Sequence, residues 1–445
     1  MASSEISVDL VSPGDPGWDV ARQAFNLAAD QRPALIAYPE NAGDVLAVVD
    51  FARAKDLRVA PQRTGHAAQA IESLADTLLL RTDRLSGVEL DAAARTARIA
   101  GGTLWGAVSD AAAPHGLAPL AGSSRTVGVA GYHLGGGLSL ASRKLGLAAS
   151  AVRAIELVTA DGRAVRATAD SEPELFWALR GGGGNYGVVT ALEIDLFELP
   201  EIYAGNLFFP AERAREVLHA WRELTLTAPD ELTLSGRILQ IPDVPGPPPP
   251  LRGRAFVVVD VVFLGGESEG AELLAPLRAL DPEIDTLAPA GPDVLGRVHM
   301  DPEDPVPALT DHALTGPLPP EAIDAFVDAV GPEAGSTLVS AELRQTGGAL
   351  SRAAPGGGAL DFLPGDHFAF GVAALIGPEA ATAAQADFDR LREALAPYDV
   401  GSYFNFSERP APISTFFGEG VIERLRAVKA QWDPDDMFVA GHPVA

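Results

Sequence analysis

The chain has 445 residues, too many for one ordinary core, so its length predicts two domains. With 47% hydrophobic and 21% charged residues it has the make-up of a folded protein, and its formal net charge of −27 excludes nucleic acid and anionic membranes as partners, since both require clustered Lys and Arg. The chain lacks cysteine, which rules out disulfides, thiolate nucleophiles, zinc–thiolate sites and iron–sulfur clusters. Met1–Ile6 carries no basic stretch leading into an apolar run, and no apolar segment is long enough to span a bilayer, so a cytoplasmic enzyme is expected.

The first third alternates short strands and helices. Leu35–Tyr38 reads as a strand ended by Pro39; a helix follows, with Val45, Val48, Val49 and Ala52 on one face and Asn41 as its cap. Leu57–Ala60 is a second strand and delivers the chain into a loop ending at His66. Val88–Leu90 and Thr96–Ala100 form an expected hairpin, and Leu104–Ala113 a helix. Further on, Ala154–Val158 and Arg163–Arg166 flank Asp161-Gly162, a strong hairpin turn. Pro173–Leu179 reads as a helix and Val188–Leu196 as an alternating strand.

The pattern changes at Leu199-Pro200. Strands are expected at Leu207–Phe209, Leu232–Ile241, Phe256–Phe263, Leu338–Arg344 and Phe368–Leu375. Helices are expected at Ala211–Leu224, Glu267–Leu280, Ala380–Leu395 and Val421–Trp432. Pro242–Pro250 reads as a stiff surface connection. Alternating strands and long helices predict a sheet covered by helices on one face. His299, His312 and His367 fall in loop-like stretches, with two of them as compatible with solvent as with function. No metal-ligand spacing is present.

Chemistry concentrates in two glycine-rich stretches, Pro61–His66 and Gly122–Gly137. Segments so poor in side chains expose backbone N–H groups that fit a pyrophosphate, and a histidine after a glycine at the lip can touch what the loop holds. Gly182–Gly187 satisfies GxGxxG, but a helix precedes it and a strand follows, the reverse of a Rossmann turn.

Four stretches in this order resemble the FAD-linked oxidases of the berberine-bridge-enzyme-like type, within the vanillyl-alcohol-oxidase-like group. They are Arg63–His66; Thr126–Tyr132 with Gly135–Gly137; Val158–Arg163 through Leu175–Thr190; and Tyr403–Phe406 with Arg424, Leu425, Val428, Lys429 and Asp433–Phe438. The resemblance implies an α+β protein: an FAD-binding domain of PCMH type in two parts, residues 1–200 and 402–445, with a substrate domain, an antiparallel sheet covered by helices, inserted at 201–401. It implies cofactor contacts from Gln62, Arg63, Thr64, Gly65, His66 and Ala67, then Gly122, Ser123, Thr126, Val127, Gly128, Gly131 and Tyr132, with Gly187, Val189 and Asn405. His66 would carry the flavin covalently, and Val127 would influence oxygen access. Tyr403 would take the substrate proton, aided by the charge of Arg344, because a phenol near pKa 10 needs such help at neutral pH.

Two departures matter. Many relatives bind flavin a second time through a cysteine where Ser124 stands, so only the single link at His66 is expected. Gly441 precedes His442 where similar proteins carry asparagine. The expected activity is oxidation of an alcohol or related C–H/X–H group of a sugar or natural product. Molecular oxygen would accept the electrons and yield hydrogen peroxide, in a monomer or homodimer. The alternative keeps the fold for a non-redox cyclase, isomerase or dehydratase with a mainly structural flavin.

Overall fold

The computed structural model describes residues 6–243 and 249–444; five residues of the proline-rich connection, 244–248, lie outside the described residues. The N-terminal segment builds a four-stranded sheet in the order Asp9–Val11, Leu35–Tyr38, Thr77–Arg81, Arg58–Gln62, with parallel pairing among the last three. Helix Ala42–Ala54 makes the crossover and buries Val45, Val48, Val49 and Ala52, as the i, i+3, i+4, i+7 spacing requires. Asn41 caps it: its Oδ1 accepts from the Asp44 N–H at 3.0 Å.

A second, antiparallel sheet runs in the order Val88–Asp91, Thr96–Ala100, Val188–Asp195, Val152–Val158, Ala164–Ala167. Its core takes in helix Trp105–Ala112, helix Pro173–Leu179 and, from far along the chain, helix Glu419–Trp432. The segment beyond that helix returns to the first sheet. The Val59 N–H donates to Met437 O at 2.8 Å and the Val439 N–H to Val59 O at 2.9 Å, while Phe438 joins the core beneath helix Ala42–Ala54.

The middle of the chain forms one large antiparallel sheet. Its order is Ile284–Asp285, Ile202–Pro210, Ala255–Phe263, Leu232–Gln240, Ser340–Gln345, His367–Ala374, Ala308–Thr315, Asp399–Gly401, with Ala288–Ala290 also on the Ile202 strand. Register decides which side is which. Leu234, Val259, Val261, Leu343 and Ala369 pack against Trp221, Phe326 and Phe388 of helices Ala214–Thr225, Pro320–Val330 and Ala380–Leu395. The partners Asn206, Asp260, Ser235 and Arg344 share the opposite face with Arg237, Glu342, Phe370 and His312. That face looks toward the glycine-rich stretches.

Several expectations shift. Glu267–Leu280 is not one helix: it breaks into Glu267–Leu273 and Ala275–Arg278, with Pro276 in the first turn of the second piece. His312 and His367 are strand residues, not loop residues, and His299, His312 and His367 are all withdrawn from solvent, His299 and His367 fully buried. Strand Ala308–Thr315 and helix Pro320–Val330 lie in a stretch with no expected element, and Val129–Leu134 turns helical within the second glycine-rich stretch. Among the described residues no helix is long and apolar enough to cross a membrane.

Candidate active site

A cleft of about 480 Å³ runs between the glycine-rich stretches and the polar face of the large sheet. All the residues expected from the sequence line it except Thr126 and Tyr403. Ten glycines among the described residues line it. A Cβ built on Gly131 would meet nothing within 4 Å, so the groove there is open, whereas one on Gly135 would come within 1.7 Å of Asn405 Oδ1. The glycines therefore do two things: at Gly131 the cleft is left open, and at Gly135 the C-terminal segment can approach closely. A glycine-rich cleft with a neutral imidazole on its wall fits an elongated dinucleotide with a planar ring.

Gly65, at φ +77°, turns the chain so that His66 faces the cleft. The imidazole stacks on Phe25 (3.9 Å between centroids, 13° between planes), and its Nδ1 lies 2.8 Å from Thr64 Oγ1. Burial pushes its pKa down to about 4, against a smaller upward pull from Asp301. The ring is thus held still and uncharged at neutral pH, which is the nucleophilic form.

Asn405 sits at the centre of the C-terminal contribution, and its Nδ2 donates to Tyr132 O at 2.9 Å. Tyr403 lies behind it, fully buried among Leu138, Leu314, Leu363 and Phe368, with its hydroxyl 3.5 Å from Asn405 Nδ2. Burial pushes the phenol well above its ordinary range; hydrogen bonding from Asn405 and the Gly137 backbone, and the charge of Arg344, offset only part of that. Arg344 does reach the cleft wall, but its Nε and Nη2 are taken by Glu342 at 2.7 and 3.3 Å.

Residues 33–168 match the family model described as an FAD binding domain, and residues 402–445 the one described as berberine and berberine like. In these two regions the chain is similar to the berberine-bridge-enzyme-like FAD-linked oxidoreductases. (R)-6-hydroxynicotine oxidase of Paenarthrobacter nicotinovorans is 36% identical over 195 residues, 44% of this chain but only 43% of that protein's own length. An uncharacterized FAD-linked oxidoreductase of Bacillus subtilis, YvdP, is 25% identical over 98% of both chains. Among solved structures, wild-type BBE-like 1 of Physcomitrella patens superposes with a TM-score of 0.83 at 20% identity, covering 99% of this chain and 97% of its own. The 6-hydroxy-D-nicotine oxidase of Arthrobacter nicotinovorans gives 0.79 at 25%, covering 98% and 97%.

Around the cleft, sequence reasoning missed the charged groups that surround Arg344. Glu342 is gripped from the other side by His299 Nε2 at 2.9 Å; His299 Nδ1 meets Asp301 Oδ1 at 2.6 Å; Ser123 Oγ donates to Asp301 Oδ2 at 2.7 Å. Arg237 and Asp260 extend the cluster, and Asn206 donates to Asp260 at 2.6 Å. Burial disfavours charge on His299, yet Asp301 and Glu342 outweigh it and raise the imidazole to about 9. Asp301 is driven far below the usual carboxylate range because His299 and Ser123 outweigh its burial. Three cations (Arg237, His299, Arg344) thus face three carboxyls (Asp260, Asp301, Glu342). Met300, at φ +58°, makes the left-handed turn that points both His299 and Asp301 inward.

Glu408 was missed as well. It lines the cleft, accepts from Asn26 Nδ2 at 3.1 Å, and is raised by burial to about 7. The signal was available: an acidic residue two positions beyond the aromatic run Tyr403-Phe404-Asn405-Phe406.

Proposed function

We propose that this protein is an FAD-dependent oxidase of a small organic molecule, with the cofactor held between residues 1–200 and 402–445 and substrate admitted against the sheet of residues 201–401. When bound, the flavin supplies a two-electron acceptor that molecular oxygen can regenerate with release of hydrogen peroxide. The glycine-rich cleft wall from Gly65 to Gly187 would hold the dinucleotide, with Gln62, Arg63, Val127, Tyr132 and Val189 packing beside it. His66 would form the single covalent link. The observation that carries this reading is an immobilised, neutral imidazole on the wall of a glycine-rich cleft that also takes in Arg344 of the large sheet and Asp301 of the loop before strand Ala308–Thr315.

Arg344, pinned by Glu342, keeps a fixed positive charge at the substrate wall, where it can orient a hydroxyl or an anionic edge. Asn405 ties the tail to the Tyr132 backbone. Tyr403, expected as the proton acceptor, is held protonated and off the cleft surface, so in this reading it braces Asn405 rather than taking the proton directly. The buried aromatic and apolar lining excludes water around the reacting groups.

The test is chemical. Acid-precipitated protein should retain yellow colour, with the added mass on the peptide bearing His66, and His66→Ala should lose both. Anaerobic bleaching of the flavin by a converted substrate supports oxidation; conversion without bleaching would transfer the assignment to a non-redox cyclase, isomerase or dehydratase.

A further inference from the structure

The ionisable side chains on the cleft wall differ in how their charge is met. Arg63 pairs with Asp83 at 3.1 Å, Arg344 with Glu342, and Asp301 with His299. His66 and His442 are both pushed toward the neutral form by burial. Glu408 stands apart. The hydrogen bond it receives comes from a neutral group, Asn26 Nδ2; among the described residues the buried Thr310 hydroxyl on the same cleft wall has no hydrogen-bond partner, and no charged group acts on the Glu408 carboxyl appreciably. Around it the lining is apolar and aromatic: Phe25 next to Asn26, Val372 opposite Thr310 in the sheet, and Phe370 against Phe406 at 4.9 Å.

A carboxyl in such surroundings ionises at a cost that a neutral donor cannot repay, because only an opposite charge offsets its desolvation. Aromatic faces nearby favour the same kind of visitor, a cation with an apolar body. The net charge of −27 makes the molecule as a whole attract cations rather than anions.

We propose that Glu408 is a docking carboxylate for a cationic nitrogen, and that the substrate is therefore an amine, or an alcohol carrying a basic amine, rather than a neutral sugar. The inference rests on the flavin-oxidase reading of the same cleft and narrows its substrate class. The groups facing Glu408 do not blur its titration. His312, on the same strand as Thr310, is lowered to about 4 by burial and spends its Nε2 on Ser402 and the Tyr403 N–H. His442 is lowered too, Asp311 is paired with Arg392, and Arg409 is turned toward Gln385 and Phe388.

The experiment uses the flavin-loaded protein and its E408Q variant. Benzylamine, a cation throughout the range, and benzyl alcohol, its neutral counterpart, are titrated by calorimetry and flavin difference spectra at about pH 6 and about pH 8. At the higher pH benzylamine should bind about tenfold more tightly than benzyl alcohol, as a charge-assisted hydrogen bond predicts. The preference should shrink at the lower pH, where Glu408 takes up its proton, and should fall to about twofold or less in E408Q. Equal affinities at the higher pH, no detectable binding of benzylamine, or a preference unchanged in E408Q overturns the proposal. Should E408Q not fold, the wild-type pH dependence decides by itself. Failure of the flavin reading shows separately, as protein that is colourless before any amine is added.

Discussion

Two side chains carry opposite lessons about burying charge. Glu408 has a folded-state pKa near 7 against an ordinary value of 4.5, so the native state holds its proton more tightly than the unfolded chain does. Its contribution favours folding at low pH and is lost as pH rises from about 4.5 through about 7. Glu408→Gln removes that loss, and chemical denaturation at about pH 8 should show the variant more stable by on the order of 2 kcal/mol, with no gain at about pH 4.5. His299 is raised to about 9 from 6.5, so its contribution is complete below 6.5 and disappears as pH climbs through 9. Melting curves across that window should therefore fall with rising pH, and Glu342→Gln, which leaves His299 and Arg344 facing an amide, should cost about 3–5 kcal/mol at neutral pH.

Elements show what could be read in advance and what could not. Helix Ala42–Ala54, helix Pro173–Leu179 and helix Ala380–Leu395 appear where caps, proline and 3.6-residue periodicity put them, because each is decided by its own residues. The two glycine-rich stretches were legible for the same reason, and their residues do line the cleft. Strand Ala308–Thr315 was not legible: Asp311 and His312 interrupt its apolar pattern, and it becomes a strand by pairing with His367–Ala374 and Asp399–Gly401. The charged face of the large sheet was hidden likewise, since Asp260, Glu342 and Arg344 meet only through register between strands distant in sequence. Close approach is also an element-level property. Gly135→Ala would drive a methyl into Asn405 Oδ1, so the tail should detach from Tyr132 and the protein should lose about 1–3 kcal/mol, measured by urea denaturation.

For the molecule as a whole, two of the core clusters each draw on both the N-terminal and the C-terminal segments: Leu425 and Trp432 pack with Ile99 and Trp105, and Phe438 with Val48 and Val59. The large sheet has its own core under three helices and needs neither end. A chain stopped after Asp436 should accordingly keep that sheet protected from hydrogen exchange while the strand Arg58–Gln62 exchanges freely and the product aggregates; intact protection at Val59 would count against this division. The pairing of Val59 with residues 437 and 439 also sets an order of events during synthesis. The ribosome makes the strand that leads into His66 early, yet its exposed edge waits for a partner nearly four hundred residues downstream. Through most of translation that edge is sticky and the cleft beside it is unfinished, so chaperone protection of the nascent N-terminal segment, more than stability of the finished protein, should set how much of it a cell can make.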